Sequence, residues 1–250
     1  MSLRAALKVS LEHLRSRRLA PVTVAIVDSG IDATHRALRG RVVHAARIKE
    51  TDDGCRVAVA RTQRNADVYG HGTAVAGIIA SIAPNARLVD VRVLDEQNIC
   101  SGEALIEGFR YAIEQSVRII NMSLACTAKF APQLNALCET AYRHNQIVVA
   151  AKRNMPLQDY GFPAELSSCI SVDMGKFRTP FHILFRDNQV IQFVAHGEEV
   201  VVAAAGGGTT TMTGTSFATP AVSGLCALLA GAHPDLRPFD VKSLLRAFAR

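Results

Sequence analysis

The feature that most constrains this chain is an alternation of two kinds of segment. Short apolar runs rich in β-branched residues stand at Val22–Val27, Leu88–Val93, Ile119–Met122, Ile147–Ala151 and Ile170–Val172. Between them lie stretches of helical periodicity, at Leu3–Arg17, His71–Ser81, Gly102–Glu114, Ala131–His144, Ser216–Ala232 and Phe239–Ala249. Strands joined through helices run parallel, so the pattern predicts an α/β fold with a largely parallel central sheet. From Phe177 to Val202 the pattern changes to alternating residues with a turn signal at Arg186-Asp187-Asn188. An antiparallel hairpin region appended to the parallel sheet is expected there.

At 250 residues the chain fills one large domain and is short for two. Its 49% apolar and 20% charged residues exclude a disordered or coiled-coil chain. Part of the net charge of +6 lies early, at Arg4, Lys8, Arg15, Arg17 and Arg18. Residues 1–20 therefore read as a basic helical extension packed beside a domain of residues 21–250. No aromatic-interleaved basic patch accompanies it, so no nucleic-acid partner is expected. The start MSLRAALKVSLEHLRSRR has no continuous apolar core, so no secretory signal is expected, and no run suggests a membrane span. The six cysteines, Cys55, Cys100, Cys126, Cys138, Cys169 and Cys226, form no C-x-x-C pair, which argues against zinc. A cytoplasmic, cofactor-free protein with no metal is the expectation.

Open parallel sheets carry reactive groups at the carboxyl ends of their strands. That filter selects Asp28 after VTVAIV, Asn121 to Ser123 after VRII, and Asn154 after IVVAAKR. Each candidate has a bland alternative. Asp28 in VAIVDSGID could cap the turn at Ser29-Gly30, and His71 in YGHGTAVAG could be structural. Ser216 in GTSFATPAVSG could cap the helix that it opens.

Taken together, the D-S-G, H-G-T-x-V-A-G and G-T-S-x-A-T-P segments, in that order, resemble the subtilisin-like serine proteases (subtilases). The resemblance runs from about Val22 to Ala232, with APNARLVDVRVL and VRIINMSL as further matches. It implies a three-layer subtilisin-like fold and a serine endopeptidase whose catalytic triad is Asp28, His71 and Ser216. A serine hydroxyl needs a neighbouring base, and the imidazole needs an orienting carboxylate. The resemblance further assigns an oxyanion-hole donor to Asn154. Substrate, a peptide or protein, is expected as an extended strand between Ser123-Leu124-Ala125 and the segment Gln97-Asn98-Ile99-Cys100.

The chain also departs from the family pattern. Lys152 and Arg153 stand where small residues and glycine are usual, in the wall of the pocket for the residue before the scissile bond. A preference for small or acidic residues there is the expectation, against both cations facing solvent. Ala125 and Cys126 replace two glycines, and Cys100 and Cys126 are expected to flank the cleft. The helix after His71 runs into Ala83-Pro84 without the longer loop that holds calcium in many secreted members. About twenty residues precede the first core strand, too few for a long pro-domain. An intracellular enzyme dedicated to peptide processing would fit. The alternative is a catalytically silent member that binds peptides or scaffolds a complex. An α/β-hydrolase is excluded by the order of the residues and by the missing final glycine of G-x-S-x-G. No H-E-x-x-H pattern occurs among the eight histidines, which excludes that class of metallopeptidase.

Overall fold

The computed structural model describes residues 11–62, 66–155 and 159–249. A short helix, α1 (Leu11–Arg15), leads into β1 (Val22–Asp28), β2 (Val42–Thr51) and β3 (Gly54–Ala60). There follow α2 (His71–Ile82), β4 (Ala86–Arg92), α3 (Gly102–Glu114), β5 (Ile119–Met122), α4 (Ala131–Arg143), β6 (Ile147–Ala151) and β7 (Ile170–Gly175). The remainder comprises β8 (Leu184–Phe185), β9 (Phe193–His196), β10 (Val200–Ala203), β11 (Thr209–Met212), α5 (Thr215–Ala232) and α6 (Pro238–Phe248).

Nine strands form one sheet in the order β3-β2-β4-β1-β5-β6-β7-β9-β8, while β10 and β11 pair separately. The seven inner strands run parallel, and only the edge strands β3 and β8 are antiparallel to their neighbours. A parallel sheet must be covered on both faces, and β1 shows how. Val22, Val24 and Ile26 enter a core shared with α1, α2, α5 and α6, whereas Ala25 and Val27 enter a second core beneath α3 and α4. The result is a helix–sheet–helix sandwich with β1, β5 and β6 at its centre.

The expected parallel strands are present, and the region from Phe177 to Val202 contains the antiparallel pair β8–β9. Strand β9 is itself parallel to β7, and β10 leaves for a separate hairpin with β11. The β2–β3 hairpin was not anticipated. Polar and charged residues such as His44, Arg47, Lys49 and Arg56 interrupt both strands, and no residue of β3 is buried, so the pair lacks the sustained burial of β1, β5 and β6.

Of the expected helix at Leu3–Arg17, residues 3–10 lie outside the described residues, and Leu11–Arg15 is helical. Leu11 and Leu14 are buried in the main core. The following turn is tied down where Ala20 N–H donates to the Gly231 carbonyl (3.0 Å) and Asn85 Nδ2 donates to the Ala20 carbonyl (2.9 Å).

Contrary to the sequence expectation, α5 is long and apolar enough to cross a membrane, with mean hydropathy 1.4. It is 89% buried and packs against α2, β5, β6, β7 and β9, so its apolarity is that of a central core helix. Two core thiols also meet: Cys138 Sγ on α4 lies 3.4 Å from Cys169 Sγ at the entry to β7.

Candidate active site

Asp28 is the last residue of β1 and is 1% exposed. Its carbonyl is bonded by the N–H groups of Val93 (2.8 Å) and Leu94 (3.2 Å), which fixes the strand end. Oδ1 accepts from Ser29 N–H (2.8 Å), so the turn-capping alternative describes a real contact. The same oxygen accepts from His71 Nδ1 (2.7 Å). Oδ2 is buried with no hydrogen-bond partner among the described residues. A buried carboxylate left half-unsatisfied is costly, and such exceptions call for a reason beyond packing.

His71 opens α2 and is 7% exposed. Two glycines allow this placement. The N-cap Gly70 has φ 104°, a left-handed conformation that side chains resist. A Cβ at Gly72 would lie 2.1 Å from the Gly30 carbonyl oxygen, so only glycine lets the helix seat against the end of β1. Burial by itself pushes the His71 pKa down. The charge and hydrogen bond of Asp28, with the charge of Asp67, outweigh it, and the imidazole is more basic than usual.

Ser216 is the second residue of α5, so Gly214 and not Ser216 is the N-cap. Within α5, Pro220 has no N–H to give to the carbonyl four residues earlier, which belongs to Ser216. The Ser123 hydroxyl supplies that bond instead (2.9 Å), and the Ser216 hydroxyl donates in return to the Ser123 carbonyl (2.9 Å). Asn121 donates to Ser123 Oγ (3.0 Å) and accepts from Ser223 (2.8 Å), which extends the link from β5 back to α5. Ser216 and His71 thus share the site without a direct hydrogen bond, while Phe217 packs its ring 5.4 Å from that of His71.

Asn154 lies on the loop after β6. Its Oδ1 accepts from Thr215 N–H (2.9 Å) and Thr215 Oγ1 (3.1 Å). A backbone N–H can bond only to the oxygen, so this contact fixes the orientation of the amide and leaves Nδ2 free to donate.

The two cations before Asn154 diverge. Lys152 Nζ donates to Asp173 (3.0 Å), which also accepts from Arg186 (2.8 Å). Arg153 instead reaches toward the Ser123–Cys126 segment, donating from Nη2 to the Cys126 carbonyl (2.9 Å) and pairing with Asp159 (3.4 Å). Neither side chain is a free cation, because each has a carboxylate beside it. Cys126 is further held by paired backbone bonds with Phe162.

On the opposite side, Gln97 and Asn98 do not extend a strand. They form a turn in which Asp95 Oδ1 accepts from the N–H groups of Gln97 and Ile99 (both 2.9 Å), with Asn98 at φ 63°. Burial chiefly pushes the thiols of Cys100 and Cys126 up to about 12 and about 11. They are protonated at neutral pH, and the thiol pair in contact is Cys138–Cys169. Sequence reasoning overlooked Asp67, Asp159, Asp173 and Thr215. Asp67, four residues before His71, and Thr215, inside the G-T-S motif itself, stood near enough to a motif to be noticed.

A model of the subtilase family matches residues 20–249. An intracellular serine protease of Paenibacillus polymyxa is 32% identical over 222 residues, 83% of this chain and 66% of that protein. The major intracellular serine protease of Bacillus subtilis (strain 168) is 32% identical over 224 residues, 83% of this chain and 68% of the relative. Subtilisin DY of Bacillus licheniformis is 30% identical over 246 residues, covering 92% and 84%. The chain thus spans about two thirds of the length of the two intracellular relatives. Among solved structures, sphericase superposes with a TM-score of 0.75 at 23% identity, covering 95% of this chain and 88% of that one. That likeness concerns the fold: a subtilisin-like sandwich of helices around a mostly parallel sheet. This chain belongs to the subtilase family of subtilisin-like serine endopeptidases.

Proposed function

We propose that this chain hydrolyses peptide bonds through an acyl-enzyme on Ser216, with His71 as base and then acid, and Asp28 orienting the imidazole. The observation that carries the reading is the buried 2.7 Å contact between Asp28 and the raised-pKa His71 at the mouth of the sheet. Rotation of Ser216 about χ1, between staggered positions, takes its hydroxyl from the Ser123 carbonyl toward His71. Attack on the scissile carbonyl gives an oxyanion for Asn154 Nδ2, held in place by Thr215, with the start of α5 adding backbone N–H groups.

Substrate would lie against Ser123-Leu124-Ala125, with Ile99 and Cys100 of the turned segment opposite. The side chain before the scissile bond would meet Arg153, which stands between the Cys126 carbonyl and Asp159. A small or acidic residue is expected there on the strength of Arg153 alone, since Lys152 is turned to Asp173. A positional-scanning peptide library with a strong preference for Phe, Leu or Lys at that position would refute this. An intracellular working site is part of the proposal and rests on the relatives named intracellular. Efficient cleavage of one defined peptide with little casein digestion would support a dedicated processing role.

A second reading, a silent peptide-binding member, is favoured by the Ser216 hydroxyl being bonded to Ser123 and not to His71. Labelling by a fluorophosphonate probe separates the two. Labelling of native protein that is lost in Ser216→Ala and in heat-unfolded protein supports the enzyme. Failure to label the folded native chain supports the silent member.

A further inference from the structure

Helix α2 begins with an N-cap glycine, Gly70, that has no side chain to satisfy the first N–H groups of the helix. A carboxylate outside the helix takes the N–H of Thr73 and those of the two residues that lead into the helix, and Ser29 takes that of Gly72. Asp67 Oδ1 accepts from Tyr69 N–H (3.1 Å), Gly70 N–H (2.7 Å) and Ser29 Oγ (2.7 Å), while Oδ2 accepts from Thr73 N–H (2.8 Å). Ser29 Oγ in turn accepts from Gly72 N–H (2.9 Å), which closes the circuit between the end of β1 and the first turn of α2. His71 lies between these bonded residues.

From this arrangement we infer that Asp67 is a positioning residue for His71, acting as a remote cap that locks the imidazole against Asp28 and offsets the positive end of α2. A helix N-terminus disfavours a cation on its first residue, and His71 must become one during turnover. A carboxylate at the same end counters that effect. The charged groups around His71 are few. Asp28 faces it from β1 and Asp67 from the preceding loop. Asp32 donates its backbone N–H to Thr73 Oγ1, and its carboxylate is taken up by Thr34 and Gly206. Arg92 on β4 reaches the loop at the Ala66 carbonyl (3.4 Å), while α5 presents the ring of Phe217. Removing Asp67 therefore removes one of two carboxylates whose charge favours the imidazolium.

The inference rests on His71 being the base of the proposed reaction, and its test has one arm that needs no turnover. In Asp67→Asn, kcat is expected to fall roughly tenfold with KM little changed, short of the roughly 10²–10⁴-fold ascribed to an acid–base group itself. The acid limb of kcat/KM should move to lower pH by roughly half a unit, because loss of a negative charge makes the imidazolium less stable. Ser29→Ala breaks the same circuit without removing charge, so it should lower kcat and leave the acid limb in place. In a Ser216→Ala background, the His71 Nδ1 proton resonance should titrate at lower pH when Asp67→Asn is added. That shift can be read even if no peptide is hydrolysed.

If Asp67→Asn does not fold, Asp67→Glu keeps the charge but not the geometry. It should then show a lowered kcat with an unmoved acid limb. An Asp67→Asn protein with native kcat and native His71 titration, altered only in melting temperature, would overturn the inference. So would Asp67→Glu with native kcat.

Discussion

Ser216 and Asn154 can be separated at the residue scale by what each loses on truncation. In the proposed reaction Ser216→Ala removes the nucleophile, and kcat is expected to fall by roughly 10⁶-fold, as on loss of the nucleophile in a subtilisin. On the same proposal Asn154→Ala removes only a donor to the oxyanion, so kcat should fall about 10²–10³-fold at similar KM in steady-state assays. Because Thr215 N–H then loses its acceptor, a small fall in melting temperature should accompany it. The places of Asp28, His71 and Ser216 in the fold were legible because each stands at a strand end or in the first turn of a helix inside a short motif. Lys152 and Arg153 were legible only as charges. Their opposite directions depend on Asp173 and Asp159, partners no local motif announces.

The approach of α2 to β1 decides the geometry at the element scale. Gly72→Ala would place a methyl group 2.1 Å from the Gly30 carbonyl oxygen, a backbone atom that cannot step aside as a side chain does. The helix must shift, at about 1–3 kcal/mol for overpacking. Activity should suffer more than stability, because the shift carries His71 away from Asp28; kcat against urea midpoint would show this. The helix itself was readable from sequence, but its cap was not, since Gly70 leaves that role to Asp67. The inner strands were readable from β-branched runs buried on both faces. Strand β3 was missed because it lies at the sheet edge with no buried residue, and β2 because polar residues interrupt its apolar run. Strands β10 and β11 were missed because Gly206, Gly207 and Gly208 at their turn obscure the alternation.

For the whole molecule, pH sets stability and activity against each other. His71 is more basic in the fold than its ordinary value of about 6.5, so its protonation favours the folded state. That contribution is complete below about 6.5 and is lost as pH rises through the folded pKa. The proposed reaction needs the neutral imidazole, so the acid limb of kcat/KM should lie above about 6.5. Asp173 works in the other direction. Burial raises its pKa, but the bonds from Lys152 and Arg186 outweigh it and lower it overall. Its contribution is present above about 3.9 and is lost as pH falls through the folded value. Urea unfolding across pH should show His71→Gln losing more stability at pH 5.5 than at pH 8.5, and Asp173→Asn losing it at both.

The thiols of Cys138 and Cys169 touch beneath α4, and with Cys226 they are shut away from solvent. Their hydrogen bond and burial raise the pKa of Cys138, and burial raises that of Cys226 to about 12. A thiol so enclosed reacts with an alkylating reagent only during the moments when its surroundings come apart. The chain therefore carries its own clock: the modification rate at Cys138 and Cys169 times the parting of α4 from the sheet, while Cys226 times the loosening of the helix that begins at Thr215.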